Sequence, residues 1–289
     1  MPPEQLSAAL SKQQAYALVD AVMERDDLAL TASAHEDEET GTWVFEATCD
    51  HEPDIESFNE LARLTLGGKV DFSVEPIDAA TDWVSMSLAG LQPVEAGGFY
   101  IYGSHETRPV PAGKIGMRID AAQAFGTGHH ETTTGCLEAI DKLLKRERPQ
   151  AMLDVGTGTG VLAIALAKRL RQVVIATDID PVAVRTAQEN ALMNGVGKYI
   201  SAAQAAGLDH RIIQHNAPYD LIVANILAGP LTQLAPAVGR VARRGATIIL
   251  SGILDTQANR VIAAYRQQGM ILKDRIVKKE WVTLTLRRG

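Results

Sequence analysis

The sequence has little cysteine and no long hydrophobic segment, and both absences restrict what the protein can be. Its two cysteines, Cys49 and Cys136, provide neither a disulfide framework nor a metal-ligand spacing. The longest nearly apolar run, residues 221–231, is too short to span a bilayer and contains Asn225. The first residues show no basic region followed by an apolar run, so we expect no secretory signal. These absences predict a cytoplasmic protein without membrane contact.

Basic side chains are scarce in the first part of the chain. Residues 1–90 contain 19 acidic and four basic residues, a net charge of −15, whereas the whole chain carries −7 and residues 91–289 carry +8. A surface this acidic repels phosphate backbones and attracts basic proteins over long distances. We therefore expect a basic protein partner and no direct binding of nucleic acid. A monomer is expected.

Apolar periodicity in the first part of the chain predicts a small domain. Helices are predicted over residues 13–26 and 54–66, and no strand is predicted before the first of them. Three strands are predicted, over residues 28–34, 42–48 and 70–77. This order indicates an α+β domain of ferredoxin-like kind, expected over residues 1–80.

A linker and a larger domain follow. The linker, residues 81–120, comprises a short predicted helix over residues 83–91 and a connector rich in glycine and proline. From about residue 130 strands and helices alternate, which predicts a mainly parallel sheet covered by helices on both faces. We expect an α/β, doubly wound, Rossmann-like domain over residues 121–289. Its seven predicted strands are residues 151–155, 173–177, 198–202, 219–224, 247–251, 272–277 and 281–286. Only residues 278–280 separate the last two strands, so a final antiparallel hairpin is expected.

A glycine-rich turn, residues 156–160, follows the first strand of this sheet. Gly156 and Gly158 allow the backbone to approach a ligand where a Cβ would clash. Asp178, 22 residues after Gly156 at the next strand end, can accept both hydroxyls of a ribose. Dinucleotide enzymes prefer G-x-G-x-x-G, whereas here the spacing is G-x-G-x-G and Asp154 can face a cationic methionine head. The pattern favours S-adenosylmethionine over NAD and, with seven strands and a final hairpin, is typical of class I methyltransferases.

A polar residue also ends the fourth predicted strand of the sheet. Asn225 would lie at the edge where open parallel sheets bind ligands. Its amide oxygen and a neighbouring backbone carbonyl can accept two N–H groups of an amine and so position the nitrogen for methyl transfer. The alternative is that Asn225 only caps a helix that begins near Pro230. We favour the catalytic role.

A third motif, residues 124–133, combines a flexible glycine segment with His129, His130 and Glu131. Adjacent side chains of an extended segment point to opposite sides, and no H-E-x-x-H spacing is present, so no metal site is expected. As a loop that enters a helix, the segment can fold over the sheet and donate threonine hydroxyls and N–H groups to the cofactor carboxylate.

These motifs closely resemble those of the PrmA family of ribosomal-protein methyltransferases. The resemblance rests on residues 125–133, on residues 225–231, on residues 251–254 with Gln257, and on residues 279–281. The motifs that match cover about residues 80–289. Over residues 1–80 the resemblance rests only on the order of the helices and strands, the size of the domain and its acidic charge. It implies that Thr133, Gly156, Asp178 and Asn225 contact S-adenosylmethionine. It further implies that the small front domain recognises large-subunit ribosomal protein eleven, and that lysine side chains and an N-terminal amine of that protein are methylated.

The residues after Asn225 agree with an aliphatic substrate. Methyltransferases of flat bases often carry an aromatic residue three positions after the strand-end residue, whereas Ala228 stands there in this sequence. An aliphatic amine needs no stacking partner, so lysine fits better than a nucleobase.

Three other functions compete with this interpretation. An RNA or DNA amino-methyltransferase on the same fold predicts a basic front domain with stacking aromatics, which the net charge of −15 over residues 1–90 opposes. An NAD-dependent oxidoreductase is opposed by the glycine spacing. A non-enzymatic protein with a vestigial site is opposed by the intact motifs.

Overall fold

The computed structural model of the chain describes residues 4–23, 25, 28–29, 31–37, 41–49, 52–76, 93–104, 106–119 and 130–289. These residues divide into two units, one within residues 4–76 and the other within residues 93–119 and 130–289. The predicted domain limits near residues 80 and 120 and the predicted helix over residues 83–91 lie outside the described residues. The domain limits therefore stay predictions.

The smaller unit has a four-stranded antiparallel sheet with strand order β2-β3-β1-β4. Its elements in chain order are β1 (Glu4–Leu10), α1 (Lys12–Met23), β2 (Thr31–Glu36), β3 (Trp43–Cys49), α2 (Ile55–Leu66) and β4 (Ser73–Pro76). Leu6, Leu18, Phe45 and Phe58 are fully buried and pack the sheet against both helices. This is the ferredoxin-like arrangement that the sequence predicted.

The first strand of this domain, which is not visible in the sequence before Gln13, is present in the structure. β1 occupies that segment and pairs with β3 on one side and β4 on the other. Two of its inward positions are Leu6 and Ala8, both buried. Alanine is a poor strand former, so the alternation of this segment was weak in the sequence even though its position is central.

The predicted connector contains three short strands. β5 (Val94–Ala96) and β6 (Phe99–Tyr102) are antiparallel, and β7 (Ile115–Arg118) runs parallel to β6. Phe99 and Met117 are fully buried in the core of the larger unit. The connector residues that the structure describes are therefore part of the larger unit.

The main sheet of the larger unit has seven strands in the order β10-β9-β8-β11-β12-β14-β13. Its strands are β8 (Met152–Val155), β9 (Val174–Asp178), β10 (Ile200–Gln204), β11 (Tyr219–Asn225), β12 (Ala242–Leu254), β13 (Met270–Lys278) and β14 (Trp281–Arg288). The first five are parallel, and β14 is antiparallel to both β12 and β13. The predicted seven strands and the final hairpin are confirmed.

Helices cover both faces of this sheet. They are α3 (His130–Leu144), α4 (Val161–Leu170), α5 (Pro181–Met193), α6 (Arg211–Asn216), α7 (Ala228–Val241) and α8 (Ala258–Arg266). Alternate residues of β11 enter different cores: Leu221 and Val223 pack with α3, α4 and α5, whereas Ile222 and Ala224 pack with α6, α7 and α8. The doubly wound, Rossmann-like fold is confirmed. Among the helices that the structure describes, none combines the length and the apolar character needed to cross a membrane.

Candidate active site

Three neighbouring parallel strands bring the predicted site residues to one edge of the sheet. β8 lies between β9 and β11, and their carboxyl ends are Val155, Asp178 and Asn225. The glycine-rich turn after β8 leads directly into α4. Because all three strands end on the same side, the turn, Asp178 and Asn225 surround one region of the sheet edge.

The glycine-rich turn is fixed to the neighbouring strand end. The amides of Gly156 and Thr157 both donate to the carbonyl oxygen of Thr177, at 2.8 and 2.9 Å. Gly156 and Gly158 have φ angles of +68° and +52°, in the left-handed region that favours glycine. The local conformation of the turn therefore requires glycine at both positions.

The two glycines differ in what surrounds them. A Cβ on Gly156 would overlap Cγ2 of Ile226, so this glycine makes room for a protein side chain. A Cβ on Gly158 would meet no atom within 4 Å, so none of the described residues fills the space beside Gly158. The sequence argument that both glycines make room for a ligand therefore fits Gly158, while packing against Ile226 accounts for Gly156.

Asp178 connects the turn to the end of β9. Its Oδ2 accepts the amide of Gly158 at 2.8 Å, and its Oδ1 accepts the amide of Asp180 at 3.1 Å. The side chain is partly exposed. A carboxylate has about four lone-pair positions, so two positions remain for the hydroxyls of a ribose.

Asp154 is the most deeply buried acid of the site, with 1% of its surface exposed. Its Oδ2 accepts the hydroxyl of Thr157 at 2.7 Å and the amide of Ala163 at 3.1 Å, which joins the turn to the first turn of α4. Its Oδ1 is buried and has no partner among the residues that the structure describes. Burial raises the pKa of the Asp154 carboxyl to about 7, and the two hydrogen bonds oppose part of that rise.

Asn225 and Thr133 meet at the same edge. The side-chain amide of Asn225 donates to the Thr133 hydroxyl at 3.4 Å, and Thr133 is 7% exposed on α3. The alternative that Asn225 caps the next helix is wrong, because α7 begins at Ala228 with Leu227 as its N-cap and without a side-chain capping bond. The amide oxygen of Asn225 makes no hydrogen bond to any described residue.

Two contacts hold the first turns of α3 on the sheet. A Cβ on Gly135 would overlap the hydroxyl of Thr283, so α3 lies in close contact with β14. Lys279, in the turn between β13 and β14, forms an ion pair of 2.5 Å with Glu131. The Glu131 carboxylate raises the pKa of Lys279 by a hydrogen bond and by charge attraction. Both contacts help to position Thr133.

Two residues of this edge were not among the predicted site residues. Ile179 directly follows Asp178 and is 69% exposed, so an apolar surface lies beside the proposed ribose position. The signal for Ile179 in the sequence was an aliphatic residue directly after the acid that ends a strand. Gly252 has φ +80°, and a Cβ there would overlap the backbone of Ile226. The signal for Gly252 in the sequence was the resemblance of residues 251–254 to the PrmA family.

The arrangement fits a cofactor that carries both a ribose and an ammonium group. Asp178 has free acceptor positions, the space beside Gly158 is open, and Asp154 has a buried oxygen without a described partner. An ammonium group near that oxygen would stabilise the ionised carboxylate, which burial alone disfavours.

Part of the third motif cannot be placed. Residues 124–129 lie outside the described residues, and the same holds for the side chain of His130. Within the described part of the chain, no group of three or more His, Cys, Asp or Glu side chains could hold a metal ion. Burial raises the pKa of the Cys136 thiol to about 12, so this thiol stays protonated near neutral pH.

Comparisons with known proteins give one consistent result. The family model described as ribosomal protein L11 methyltransferase (PrmA) matches residues 3–289. A ribosomal protein L11 methyltransferase of Rhodopseudomonas palustris is 45% identical over 90% of this chain and 88% of its own length. One from Brucella suis is 41% identical over 95% of both chains.

A solved structure agrees. The crystal structure of a ribosomal protein L11 methylase from Lactobacillus delbrueckii subsp. bulgaricus matches with a TM-score of 0.62 and 29% identity, and the match covers 69% of this chain and 100% of that one. The family match extends over the first 80 residues, where the sequence motifs gave no specific signal. With the site geometry, the family model and the relatives all in agreement, the chain belongs to the PrmA family of ribosomal protein L11 methyltransferases.

Proposed function

We propose that this protein transfers methyl groups from S-adenosylmethionine to lysine side chains and to the N-terminal amine of ribosomal protein L11, with Asn225 as the residue that positions the acceptor nitrogen. The chain is an S-adenosylmethionine-dependent methyltransferase of class I, and L11 is the substrate named for its relatives. The observation that carries the assignment of Asn225 is its position at the end of β11, beside Thr133, with an amide oxygen free of described partners.

The residues around the glycine-rich turn would hold the cofactor. Asp178 would accept the ribose hydroxyls on its remaining lone pairs, and Asp154 would face the ammonium group of the methionine part. The backbone beside Gly158 leaves space for the ligand, and Thr133 would contribute its hydroxyl. S-adenosylmethionine supplies an electrophilic methyl group on a positively charged sulfur.

Asn225 would act on the substrate amine through its amide oxygen. This oxygen accepts an N–H of the amine, while the side-chain NH₂ group is held by Thr133, which fixes the orientation of the amide. Fixing the amine directs its lone pair at the methyl group, and positioning of this kind is a large part of catalysis. A lysine must first lose its proton from a free pKa near 10.4. We propose that desolvation at the sheet edge lowers that pKa, or that the proton is lost through water.

The smaller unit would recognise the substrate protein. The first 90 residues carry a net charge of −15, which complements a basic ribosomal protein and increases the rate of encounter. The same charge opposes the alternative of an RNA or DNA amino-methyltransferase that holds its substrate on this unit. That alternative is not favoured by the relatives from Rhodopseudomonas palustris and Brucella suis either, because both are named for L11. A monomer that works in the cytoplasm fits this proposal.

The test is incubation with labelled S-adenosylmethionine and purified L11, followed by mass mapping of the labelled peptides. We expect label on lysine side chains and on the N-terminal residue. A basic ribosomal protein of similar size serves as the control for charge alone, and transfer to it at the same rate would contradict recognition of L11. Label on RNA, and none on L11, would support the alternative.

A further inference from the structure

A groove of about 360 Å³ lies on the larger unit, away from the glycine-rich turn and Asn225. It is bounded by the C-terminal half of α3 and by strands β12, β13 and β14. Thr247, which lines the groove, pairs with Leu221 near the start of β11, whereas Ser251 of the same strand pairs with Asn225 at its end. The groove therefore faces the opposite edge of the sheet from the candidate active site.

The side chains that line this groove carry a net positive charge. Four cations and two carboxylates line it, and the two carboxylates are already paired: Lys142 with Asp274 at 2.6 Å, and Arg287 with Glu147 at 2.7 Å. The remaining two cations are Arg146 and Lys273. Neither side chain forms an ion pair or a hydrogen bond with any residue that the structure describes. The groove thus presents two positive charges without counter-charges.

A register shift in β13 falls at Lys273, which lines the groove. The pairing of β13 with β14 shifts register between Leu272 and Asp274, so that Lys273 is an extra residue opposite β14. Such bulges redirect side chains and recur next to functional sites.

Favourable interaction with a helix end explains only part of this arrangement. Cations are stabilised near helix C-termini, which accounts for Lys142 in the last turn of α3 and for Arg146 just beyond it. Lys273 lies on a strand and gains nothing from the helix. It lies on the outer strand β13 and shares the lining of the groove with Arg146 and Thr285.

We propose that this groove is a binding site for phosphate groups, in which Arg146 and Lys273 hold the anion. A guanidinium group offers paired donors for phosphate oxygens, and an ammonium group offers a compact charge. A group with two negative charges neutralises the net charge of the lining. The methyl-transfer reaction does not use the groove, and the site is independent of the function proposed above.

This inference revises one expectation from the sequence. The absence of direct nucleic-acid binding was argued from the acidic residues 1–90, whereas residues 91–289 carry +8. The phosphate groups have two possible sources, a free phosphate compound or the backbone of RNA. Both supply the same anion to Arg146 and Lys273, and the experiment below separates them.

The full-length protein is titrated with pyrophosphate by calorimetry and with a short labelled single-stranded RNA by fluorescence anisotropy. The test variant is Arg146→Gln with Lys273→Gln. The matched variant is Arg260→Gln with Arg266→Gln, which removes the same charge from exposed positions on α8, outside the groove. Thermal unfolding and S-adenosylmethionine binding establish that both variants are folded.

We expect the test variant to bind the phosphate ligand at least about tenfold more weakly than the parent, because two charge-assisted contacts are lost. The matched variant should bind like the parent. If the test variant no longer binds either pyrophosphate or RNA, the phosphate groups come from RNA. If it loses binding of pyrophosphate alone, they come from a free phosphate compound. The proposal is overturned if the parent binds neither ligand, if the test variant binds both as well as the parent, or if the matched variant loses as much.

Discussion

The side-chain amide of Asn225 donates a hydrogen bond of 3.4 Å to the hydroxyl of Thr133, although the two residues are 92 positions apart in the chain. The bond joins the end of β11 to the first turns of α3. It uses one N–H of the Asn225 side-chain amide. Because the amide group is then held in place, the direction of its oxygen is fixed as well. Asn225 is therefore oriented before any substrate arrives, which reduces the reorganisation needed for methyl transfer.

Replacement of Asn225 should reduce turnover far more than cofactor binding. Asn225→Ala removes the acceptor that positions the amine, and loss of one such contact is expected to lower kcat by about a factor of 100. The measurement is methyl transfer to L11 beside calorimetry of S-adenosylmethionine binding. Asn216→Ala, at an exposed position at the end of α6, is the control. Parental turnover in Asn225→Ala would remove this residue from the reaction.

Cofactor affinity should depend on the charge of Asp178. Asp178→Asn keeps the shape of the side chain but removes charge-assisted hydrogen bonds, each of which contributes about 1.5–3 kcal/mol. S-adenosylmethionine should therefore bind about ten- to a hundredfold more weakly by calorimetry. Asp209→Asn is the control, because Asp209 is exposed and makes only an ion pair of 3.4 Å with Arg240. Equal affinity in the two variants would show that Asp178 does not bind the ribose.

Alanine at positions 156 and 158 should have different consequences. Both φ angles are positive, so each substitution costs about 1–3 kcal/mol of backbone strain. Gly156→Ala also forces its Cβ onto Ile226, so it should lower the free energy of unfolding further. Gly158→Ala meets no described protein atom and should instead weaken cofactor binding.

A double-mutant cycle tests the first half of this prediction. Gly156→Ala should be less destabilising in an Ile226→Ala background, because the overlapping methyl group is then absent. Denaturant unfolding supplies the four free energies. A coupling free energy of zero between positions 156 and 226 would contradict the packing explanation of Gly156.

The buried carboxyl of Asp154 should make stability depend on pH. An unfolded aspartate ionises near pH 3.9, whereas burial raises the pKa of Asp154 in the folded protein to about 7. The folded state therefore holds this proton more tightly. The resulting stability is present in full below about pH 4 and is lost as the pH rises through about 7.

Asp154→Asn removes the titrating group, so its thermal unfolding should lack the decline that the parent shows between about pH 4 and 7. A cofactor ammonium group beside Asp154 favours the ionised carboxylate, so the affinity of the parent for S-adenosylmethionine should rise from about pH 5.5 to 7.5. That rise should be absent in Asp154→Asn. Parallel pH profiles of parent and variant would contradict both statements.

The smaller unit should determine which protein is methylated. Removal of residues 1–80 should leave S-adenosylmethionine binding intact, because the described cofactor-site residues all lie beyond residue 130. Methylation of L11 should nearly vanish, because the tether that raises the local lysine concentration is lost. Association of the full-length protein with L11 should slow as salt rises, since exposed charges are screened over about 8 Å at physiological ionic strength. Efficient methylation of L11 by the shortened chain would contradict this assignment.

The strand ends of the main sheet could be predicted because each has a strong local signal. Residues 152–155 and 174–177 are mostly apolar runs that are followed by Gly156 and Asp178, and both are buried strands in the structure. The hairpin of β13 and β14 was predictable because only Lys279 and Glu280 separate the two strands. Local sequence was sufficient where burial on both faces demands an apolar run.

Other features depend on contacts that the sequence does not display. The meeting of Thr133 with Asn225 requires α3 to lie over β11, which local periodicity cannot reveal. Position 156 has no room for a Cβ because of a side chain 70 positions later, that of Ile226. The register shift at Lys273 is likewise set by pairing with β14. Tertiary packing, which no local pattern encodes, decides all three.

The central position of β1 has a consequence for how the chain folds during synthesis. Glu4, at the start of this strand, pairs with Cys49 of β3 and with Pro76 of β4. Of the four strands of this sheet, β1 is synthesised first and β4 last, yet β1 is an inner strand that pairs with β4. Contacts between such distant positions form slowly. The unit proposed to recognise a ribosomal protein therefore stays incomplete until β4 has emerged, and residues 4–10 remain exposed to chaperones in the meantime.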